Sequence, residues 1–423
     1  MTEQPLRGHA SGGVSRIAAI SSCMTTLDRA FIFFGVFLIS FIYTLDQTIR
    51  FASQPASTAD FGVHSMQATI NVFRAVISAA AQPTSAKIAD VFGRVELICV
   101  SIFFYVVGTI IEAAAPNVDA LAAGSVIYQI GYTMIILLIE VIVGDVTSTR
   151  ARLFFSYMSA LPFIITTWVS GDISGALFDN NKKLWRWRWS LGMFTVIYTV
   201  SALPLILSLW FISRRAKRQG KLVDYLSAFA KLDLRSFVVQ LFWLLDVVGV
   251  VLVVVVFGLI LAPVTLAGGI TTEWSKAKII APLVIGVLGI PLFITWELKG
   301  ARYPLVPFTY MKDRSVWAPM GIAIVYNFTY AMNADFLYTV LLVAFDFDVK
   351  TSTRITSLYS FTGAIVGPIF GLLAYKIRRL KIITTSGTML YTVGFGVLIH
   401  YRGMGSSQAG VIGGQPKPHC RSA

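Results

Sequence analysis

Long apolar runs, separated by short polar segments, recur along nearly the whole chain. A helix of about 18 or more apolar residues is long enough to cross a hydrocarbon core of about 30 Å. The alternating segments typical of membrane β-barrels are not seen in the sequence. The pattern therefore predicts eleven membrane-spanning helices, near residues 30–49, 67–84, 95–114, 119–143, 153–178, 189–212, 244–266, 277–296, 317–338, 354–374 and 382–400.

Composition agrees with an all-α polytopic membrane protein. Of the 423 residues, 56% are hydrophobic and only 13% are charged, which is roughly half the charged share of a soluble domain. Cys23, Cys99 and Cys420 lie far apart and show neither paired nor metal-ligand spacing. The cysteines therefore predict no disulfide framework and no metal site, and no cofactor is expected.

The net charge of +14 follows a topological pattern. If the N-terminus is cytoplasmic, the predicted inner loops carry 19 lysines and arginines and the outer loops carry 9. Cytoplasmic loops of membrane proteins are enriched in these residues. The asymmetry therefore predicts a cytoplasmic N-terminus, and it explains the basic balance without a nucleic-acid partner.

Two short basic loops resemble each other, AKIADVFGR at residues 86–94 and GLLAYKIRR at residues 371–379. Their offset of 285 residues also lays the first span over residues 315–334, within the ninth span. An internal duplication with two extra helices between the halves explains this offset, although two basic loops can also agree by coincidence. Related six-helix halves with a substrate site at their interface are a common transporter plan.

The segment IADVFGRVEL, residues 88–97, concentrates charge between the second and third spans. Asp90 suits the start of the third helix, where the helix dipole favours a carboxylate. Gly93 permits close backbone approach, and Arg94 can hold a carboxylate or carbonyl on an adjoining helix. Such a charged brace can break and re-form when two bundles move. The simpler interpretation is that Arg94 only helps to set the orientation.

In this same loop the sequence resembles the major facilitator superfamily, whose motif has the form G-x-x-x-D-x-x-G-R. Asp90, Gly93 and Arg94 match the motif, and Ala86 replaces its leading glycine. Further segments resemble one branch, the fungal siderophore-iron transporters: YTLDQTIR (43–50), LDVVGVVLVVVVFGLILAPVTLA (245–267), WELKGARYPLVP (296–307), RITSLYSFTGAIVGPIFG (354–371) and GVLIHYRGMGSSQAGVIGGQ (396–415). The resemblance implies a major facilitator fold and transport of ferric siderophores.

The resemblance implies fourteen spans, of which the hydrophobic pattern predicts about eleven. It fails at residues 416–423, PKPHCRSA, so we expect a C-terminally truncated second half. The predicted layout is a cytoplasmic tail (1–29), a six-helix half (30–212), a basic cytoplasmic linker (213–243), two inserted helices (244–296), a cytoplasmic loop (297–316), an incomplete half of about three helices (317–403) and an atypical tail (404–423).

Ionisable residues within spans are costly to insert, so they are candidates for function. Asp46 shares one face of the first span with Tyr43, three residues before it, and Arg50, four residues after it. Burial would raise the affinity of Asp46 for a proton and Arg50 would lower it, so Asp46 can carry a coupling proton. The alternative is a static pair of Asp46 and Arg50 near the outer surface.

The second and fourth spans add further candidates. Arg74 lies one turn beyond Asn71 and is expected to face the bundle interior, whereas Glu140 lies towards the inner end of its span. Glu140 is a second proton-coupling candidate, and Tyr43, Asn71 and Arg74 are candidates to line the substrate cavity. Alternatively, Arg74 and Glu140 pair with each other across the bundle.

On the ninth span, Asn327, Tyr330, Asp335 and Tyr338 fall on one side of the helix at 100° per residue. The repeat makes this helix the counterpart of the first span, so Asn327, Tyr330 and Asp335 are predicted to line the cavity. The alternative is ordinary helix contact, with Tyr338 anchored at the membrane interface.

Histidines, cysteines and carboxylates form no cluster along the sequence, and no nucleotide loop or catalytic constellation is present. An enzyme is therefore not expected. The expected partner is a ferric siderophore of the hydroxamate type, which brings its own complete coordination shell, so a carrier needs no metal ligands of its own. The sequence predicts proton-coupled siderophore uptake by alternating access across the plasma membrane or an endosomal vesicle membrane. A proton-driven exporter of drug-like compounds and a non-transporting truncated membrane protein are the alternatives.

Overall fold

The computed structural model describes most of the chain, and every regular element in the described part is a helix rather than a strand. Residues 1–23 and 401–423 lie outside this part, and with them most of the predicted tails 1–29 and 404–423. The described residues are 24–63, 66–148, 151–178, 186–219, 234–267, 273–306, 308, 313–343, 345–377 and 380–400.

The helices of the described ranges are numbered here in chain order. Those before the basic linker are α1 (Thr26–Asp60), α2 (Met66–Val91), α3 (Arg94–Ala113), α4 (Val118–Val146), α5 (Arg152–Ser156), α6 (Phe163–Phe178) and α7 (Arg186–Arg218). Those after it are α8 (Leu234–Leu244), α9 (Val247–Ala267), α10 (Ala277–Thr295), α11 (Arg314–Val343), α12 (Val349–Ile377) and α13 (Leu380–His400). Short 3₁₀ turns lie at Tyr157–Ser159 and Glu273–Ser275, and a π-helical turn at Trp296–Gly300 extends α10.

Each of the eleven predicted spans overlaps a helix, but 153–178 is divided between α5 and α6 and 244–266 contains the break before α9, so the number of spans is not thereby established. Eight helical segments of the described part are long and apolar enough to cross a membrane. These segments are α1, α3, α4, the stretch from α5 to α6, α7, α9, α10 with its π turn, and α12. The predicted spans 67–84, 317–338 and 382–400 are helical as α2, α11 and α13, which are not among the eight.

The first helix is longer than its apolar run, because it ends at Asp60 rather than near residue 49. Its N-terminus is fixed by a capping box, in which Thr25 and Asp28 satisfy each other's backbone N–H groups. Its last turns are polar yet buried. The Ser53 hydroxyl lies 2.8 Å from that of Ser190 on α7, so partners within the bundle replace apolar contacts there.

The first half is built around four helices, α1, α3, α4 and α7, whose apolar side chains form the largest core cluster. Helices α3 and α4 approach backbone to backbone. A Cβ added at Gly108 would collide with the Tyr128 backbone, and one added at Gly131 would collide with that of Tyr105. Small residues are what permit such close helix contacts in membranes.

The second half contacts the first mainly through α12, which packs on α6 and α1. Helices α9 and α10 form a hairpin, called here the inserted hairpin, which packs on α2. The predicted linker 213–243 contains α8 at its end, and α8 and α9 are separated by Asp246, which has φ 47°. A short polar residue tolerates this left-handed conformation, so Asp246 can redirect the chain into the hairpin.

Candidate functional site

Asp46 on α1 lies at the centre of a buried polar network within the first half. Its Oδ2 atom accepts hydrogen bonds of 2.7 Å from the hydroxyls of Tyr105 on α3 and Tyr128 on α4. Arg50, one turn further along α1, forms an ion pair of 3.2 Å with Asp46. The Arg50 guanidinium also lies 3.6 Å from the Tyr128 ring centre, a cation–π contact. The helical spacing from Asp46 to Arg50 is what the sequence predicted.

Glu112 completes this network, and sequence reasoning missed it. The carboxylate of Glu112, near the end of α3, pairs with Arg50 and accepts a hydrogen bond from the Ser125 hydroxyl. Asp46, Arg50 and Glu112 are all at least nine-tenths buried. Glu112 stands within the predicted third span, so the rule that singled out Asp46 also applies to it. One arginine thus balances two buried carboxylates.

Two residues of α2 that were predicted to line the cavity, Arg74 and Asn71, form hydrogen bonds to α4 and α1. The Arg74 Nε atom donates to the side-chain oxygen of Gln129 at 3.1 Å, and its guanidinium lies 5.5 Å from the Tyr128 ring centre. Asn71 accepts a hydrogen bond of 2.7 Å from the Gln54 amide. Arg74 is therefore a second cation at the Tyr128 ring, whereas Arg50 compensates the two carboxylates.

Tyr43 and Glu140 lie apart from this centre. The Tyr43 hydroxyl donates to the Ser159 carbonyl at 3.4 Å, and its ring meets that of Tyr132 edge-on with 6.1 Å between centroids. Glu140 lies on the exposed face of α4, about three turns beyond Tyr128. Arg74 therefore reaches the Asp46 network through the Tyr128 ring, whereas Glu140 lies on an exposed face.

A cavity of about 120 Å³ lies between the two halves. Gln47, Thr48 and Phe51 contribute from α1, directly beside the face that carries Asp46. The described residues that line it bear no charged side chain; besides these three they are Phe163, Tyr330, Ala334, Leu337, Thr356, Ser357, Tyr359 and Ser360.

The predicted residues of α11 are placed differently from one another. Tyr330 lines the cavity, and its ring packs on that of Tyr359 with 4.6 Å between centroids. Asn327 is exposed, and its amide donates to the Ala323 carbonyl one turn earlier. Asp335 belongs to α11, but its side chain lies outside the described residues. Tyr338 is buried and contacts Phe51 of the first half edge-on at 5.9 Å.

The predicted brace lies at the junction of α2 and α3, where Asp90 belongs to the last turn of α2 and not, as predicted, to the start of α3. Gly93 has φ 121°, a conformation that favours glycine, and it is the N-cap residue immediately before α3. The Arg94 guanidinium pairs with Asp145 of α4 at 2.9 Å and, more loosely, with half-exposed Asp90 at 3.6 Å. Arg94 also donates to the Ala89 carbonyl at 2.6 Å, so its buried head group ties the α2–α3 turn to α4. The pairing with Asp145 was not anticipated from the sequence.

An ion-pair cluster also connects the two halves where α6 meets α12. Asp172 of α6 pairs with Lys350 at 2.6 Å and with Arg354 at 2.9 Å, both on α12. A Cβ at Gly171 would lie only 2.7 Å from the Arg354 side chain, so glycine permits this close approach. Among the described residues, no group of three or more His, Cys, Asp or Glu side chains is arranged to hold a metal ion.

Comparison with known proteins shows that the sequence is similar to those of membrane transporters. The sequence matches the family described as Sugar (and other) transporter over residues 14–215. It is 41% identical over 389 residues to siderophore iron transporter 1 of Saccharomyces cerevisiae, covering 91% of this chain and 61% of that protein. It is 35% identical over 410 residues to siderophore iron transporter mirC of Emericella nidulans, covering 95% and 66% respectively.

The chain therefore spans a little under two thirds of the length of these curated relatives. These relatives are named as transporters and not as enzymes, in agreement with the expectation from the sequence.

Solved structures agree on the fold. The structure resembles that of a mutant of peptide transporter POT in complex with sulfate, with a TM-score of 0.53 and 14% identity over 90% of this chain and 77% of that chain. The structure of peptide transporter POT in complex with sulfate gives a TM-score of 0.50 with 15% identity, over 95% and 76%. The structure therefore has the fold of the major facilitator transporters, and the sequence is similar to those of fungal siderophore iron transporters over most of the chain.

Proposed function

We propose that the protein imports ferric siderophores together with protons, by exposing a site between its two halves alternately to each side of a membrane. The observation that carries this proposal is the cavity between α1, α6, α11 and α12, whose described lining is aromatic, aliphatic, hydroxyl-bearing or amide-bearing and carries no charged side chain. The names of the fungal relatives support siderophore iron as the substrate.

A tris-hydroxamate ferric siderophore matches this lining chemically. Three singly charged hydroxamates neutralise Fe³⁺ and fill its six coordination positions, so the cargo is neutral and needs no protein ligand. The rings of Phe51, Tyr330 and Tyr359 offer flat apolar surface, and Thr48 and Ser360 offer hydroxyls. Pockets of this kind combine apolar walls with a few polar groups.

The size of the cavity supports a moving carrier rather than a fixed pore. Its volume of about 120 Å³ is well below the roughly 300–1,000 Å³ of ordinary small-molecule pockets. A siderophore can enter only after the halves separate. The Asp172 cluster joins α6 to α12 and must rearrange in that step, whereas the Arg94–Asp145 pair holds α3 to α4 within one half.

Asp46 is the proposed proton carrier. Gln47 and Thr48, the next two residues of α1, line the cavity. Adding a proton to Asp46 would remove one of the two negative charges that balance Arg50 and leave Glu112 as the main partner. Helix α1 moves as a rigid body. If protonation shifts Asp46 relative to α3 and α4, Gln47 and Thr48 on the neighbouring face of α1 move with it and change the wall of the cavity.

Uptake of iron-labelled hydroxamate siderophores tests the proposal in uptake-deficient yeast that express this chain, with surface expression measured in parallel. We expect saturable uptake that a protonophore abolishes and that Asp46→Asn reduces, with Asn327→Ala as an exposed control on α11. A tagged chain shows whether it resides in the plasma membrane or in endosomal vesicles. Net efflux of drug-like compounds without siderophore uptake would contradict import, and absence of both fluxes from a surface-expressed chain would contradict transport by this chain.

A further inference from the structure

Two acidic side chains meet at the base of the inserted hairpin, away from the Asp46 network. Asp246 precedes α9, and Glu297 lies in the π turn that follows α10. Both residues are almost fully buried, with 2% and 4% of their surface exposed. Buried carboxylates are costly unless partners compensate their charge, so these two require an explanation.

Each carboxylate has one oxygen with hydrogen-bond donors and one without. Oδ1 of Asp246 accepts from the Trp296 indole N–H at 3.0 Å and from the Gly249 backbone N–H at 3.2 Å. Oε2 of Glu297 accepts from the Val306 backbone N–H at 3.2 Å. Oδ2 of Asp246 and Oε1 of Glu297 are buried and have no hydrogen-bond partner.

These two oxygens converge on one point beside Gly249. A Cβ added to Gly249 would collide with Asp246 Oδ2 and would lie 2.9 Å from Glu297 Oε1. Two ionised carboxylates would repel each other in such a confined place, whereas one added proton turns the contact into a hydrogen bond. Glycine at position 249 leaves room for that contact.

The surrounding charges favour one proton rather than two. Lys87 of α2 interacts electrostatically with both carboxylates, and its ammonium donates to the Tyr303 carbonyl. The other charged groups nearby face elsewhere: Arg302 lies over the Trp243 ring at 4.7 Å, and Lys299 is exposed. With Lys87 charged, one ionised carboxylate and one protonated carboxyl make the site neutral.

We propose that Asp246 and Glu297 bind a single proton between Oδ2 and Oε1. The resulting hydrogen bond joins the start of α9 to the π turn after α10 and so holds the two ends of the inserted hairpin together. The indole N–H of Trp296 and the backbone N–H of Gly249 both donate to Asp246 and favour its ionised form, so the proton resides mainly on Glu297 and is donated to Asp246. The site is separate from the proposed coupling proton at Asp46, and it binds its proton without substrate.

The test is infrared titration of the purified full chain in detergent, without substrate, between about pH 5 and pH 9. We expect a protonated-carboxyl band at neutral pH that is lost in Glu297→Gln, whose amide replaces the donated proton. In Lys87→Gln the band should persist to higher pH, with its midpoint raised by about one unit, because the lysine charge favours ionisation. The Lys87→Gln shift keeps the test decisive if Glu297→Gln fails to fold.

Asp313→Asn is the matched control, because hydrogen bonds from the backbone and hydroxyl of Ser315 hold the pKa of exposed Asp313 below its usual value. Asp313 stays ionised throughout the range, so the band should not change in this control.

In the wild type, thermal stability should fall as pH rises through the midpoint, since the folded state holds the proton more tightly than the unfolded chain. Glu297→Gln should flatten that slope. Identical bands in wild type and Glu297→Gln, or an unmoved midpoint in Lys87→Gln, would overturn the proposal.

Discussion

Arg50→Met is the sharpest test of the buried network in the first half. Arg50 is the cation shared by Asp46 and Glu112, and only 5% of its side chain is exposed. Removing one partner of a buried ion pair costs about 3–5 kcal/mol, because the remaining charge stays buried without compensation. Here two carboxylates lose their cation at once, so we expect a loss in the upper part of that range.

The double variant Arg50→Met, Glu112→Gln should regain about 1–3 kcal/mol of this loss, because it removes opposite charges together and residues in one network are not additive. Both free energies of unfolding are measured in mixed micelles with the full chain. Arg215→Met is the matched control, since Arg215 pairs with Asp28 at 2.6 Å on an exposed surface, where ion pairs contribute at most about 1 kcal/mol. If Arg50→Met and Arg215→Met lowered the free energy of unfolding equally, the conclusion that Arg50 compensates two buried carboxylates would be refuted.

Three further predictions follow from the helix contacts and the cavity. Gly108→Ala should destabilise the protein by about 1–3 kcal/mol, because its Cβ meets the α4 backbone. Gly321→Ala, with open space around it, should instead gain about 0.5–1 kcal/mol in the same unfolding assay. Tyr330→Ala should raise the half-saturating siderophore concentration up to about tenfold, through loss of an aromatic surface worth about 1.5 kcal/mol, while Asn327→Ala should leave it unchanged. Arg94→Lys should lower the maximal uptake rate severalfold at constant half-saturation, because lysine cannot contact Asp145 and the Ala89 carbonyl together.

The sequence was informative where local spacing decides the contact. Asp46 and Arg50 are four residues apart on a helix, so their pairing follows from helical geometry alone. The pairing of Arg50 with Glu112 joins residues that are 62 positions apart, and no local pattern selects it among the other charged residues. The same limit applies to Arg94, whose need for a carboxylate was predictable but whose partner Asp145 was not.

Helix ends were harder to predict, because hydropathy measures contact with lipid and not contact with other helices. Helix α1 continues to Asp60 through serines and threonines that are buried against the bundle, beyond the point where its apolar run stops. The break at Asp246 was also hidden, since this residue stands within a strongly apolar stretch and changes only the backbone conformation. At the end of α1, contacts with other helices rather than local composition determine where the helix ends.

The charged residues around the turn between α2 and α3 contact two different parts of the structure. Lys87 faces the carboxylates at the base of the inserted hairpin, whereas Asp90, one turn later, faces Arg94. Arg94 in turn holds Asp145 on α4. The same end of α2 therefore contacts both the hairpin and the core of the first half through charges. A displacement of α2 changes both sets of contacts together, and orientation in the membrane alone would require only the positive residues.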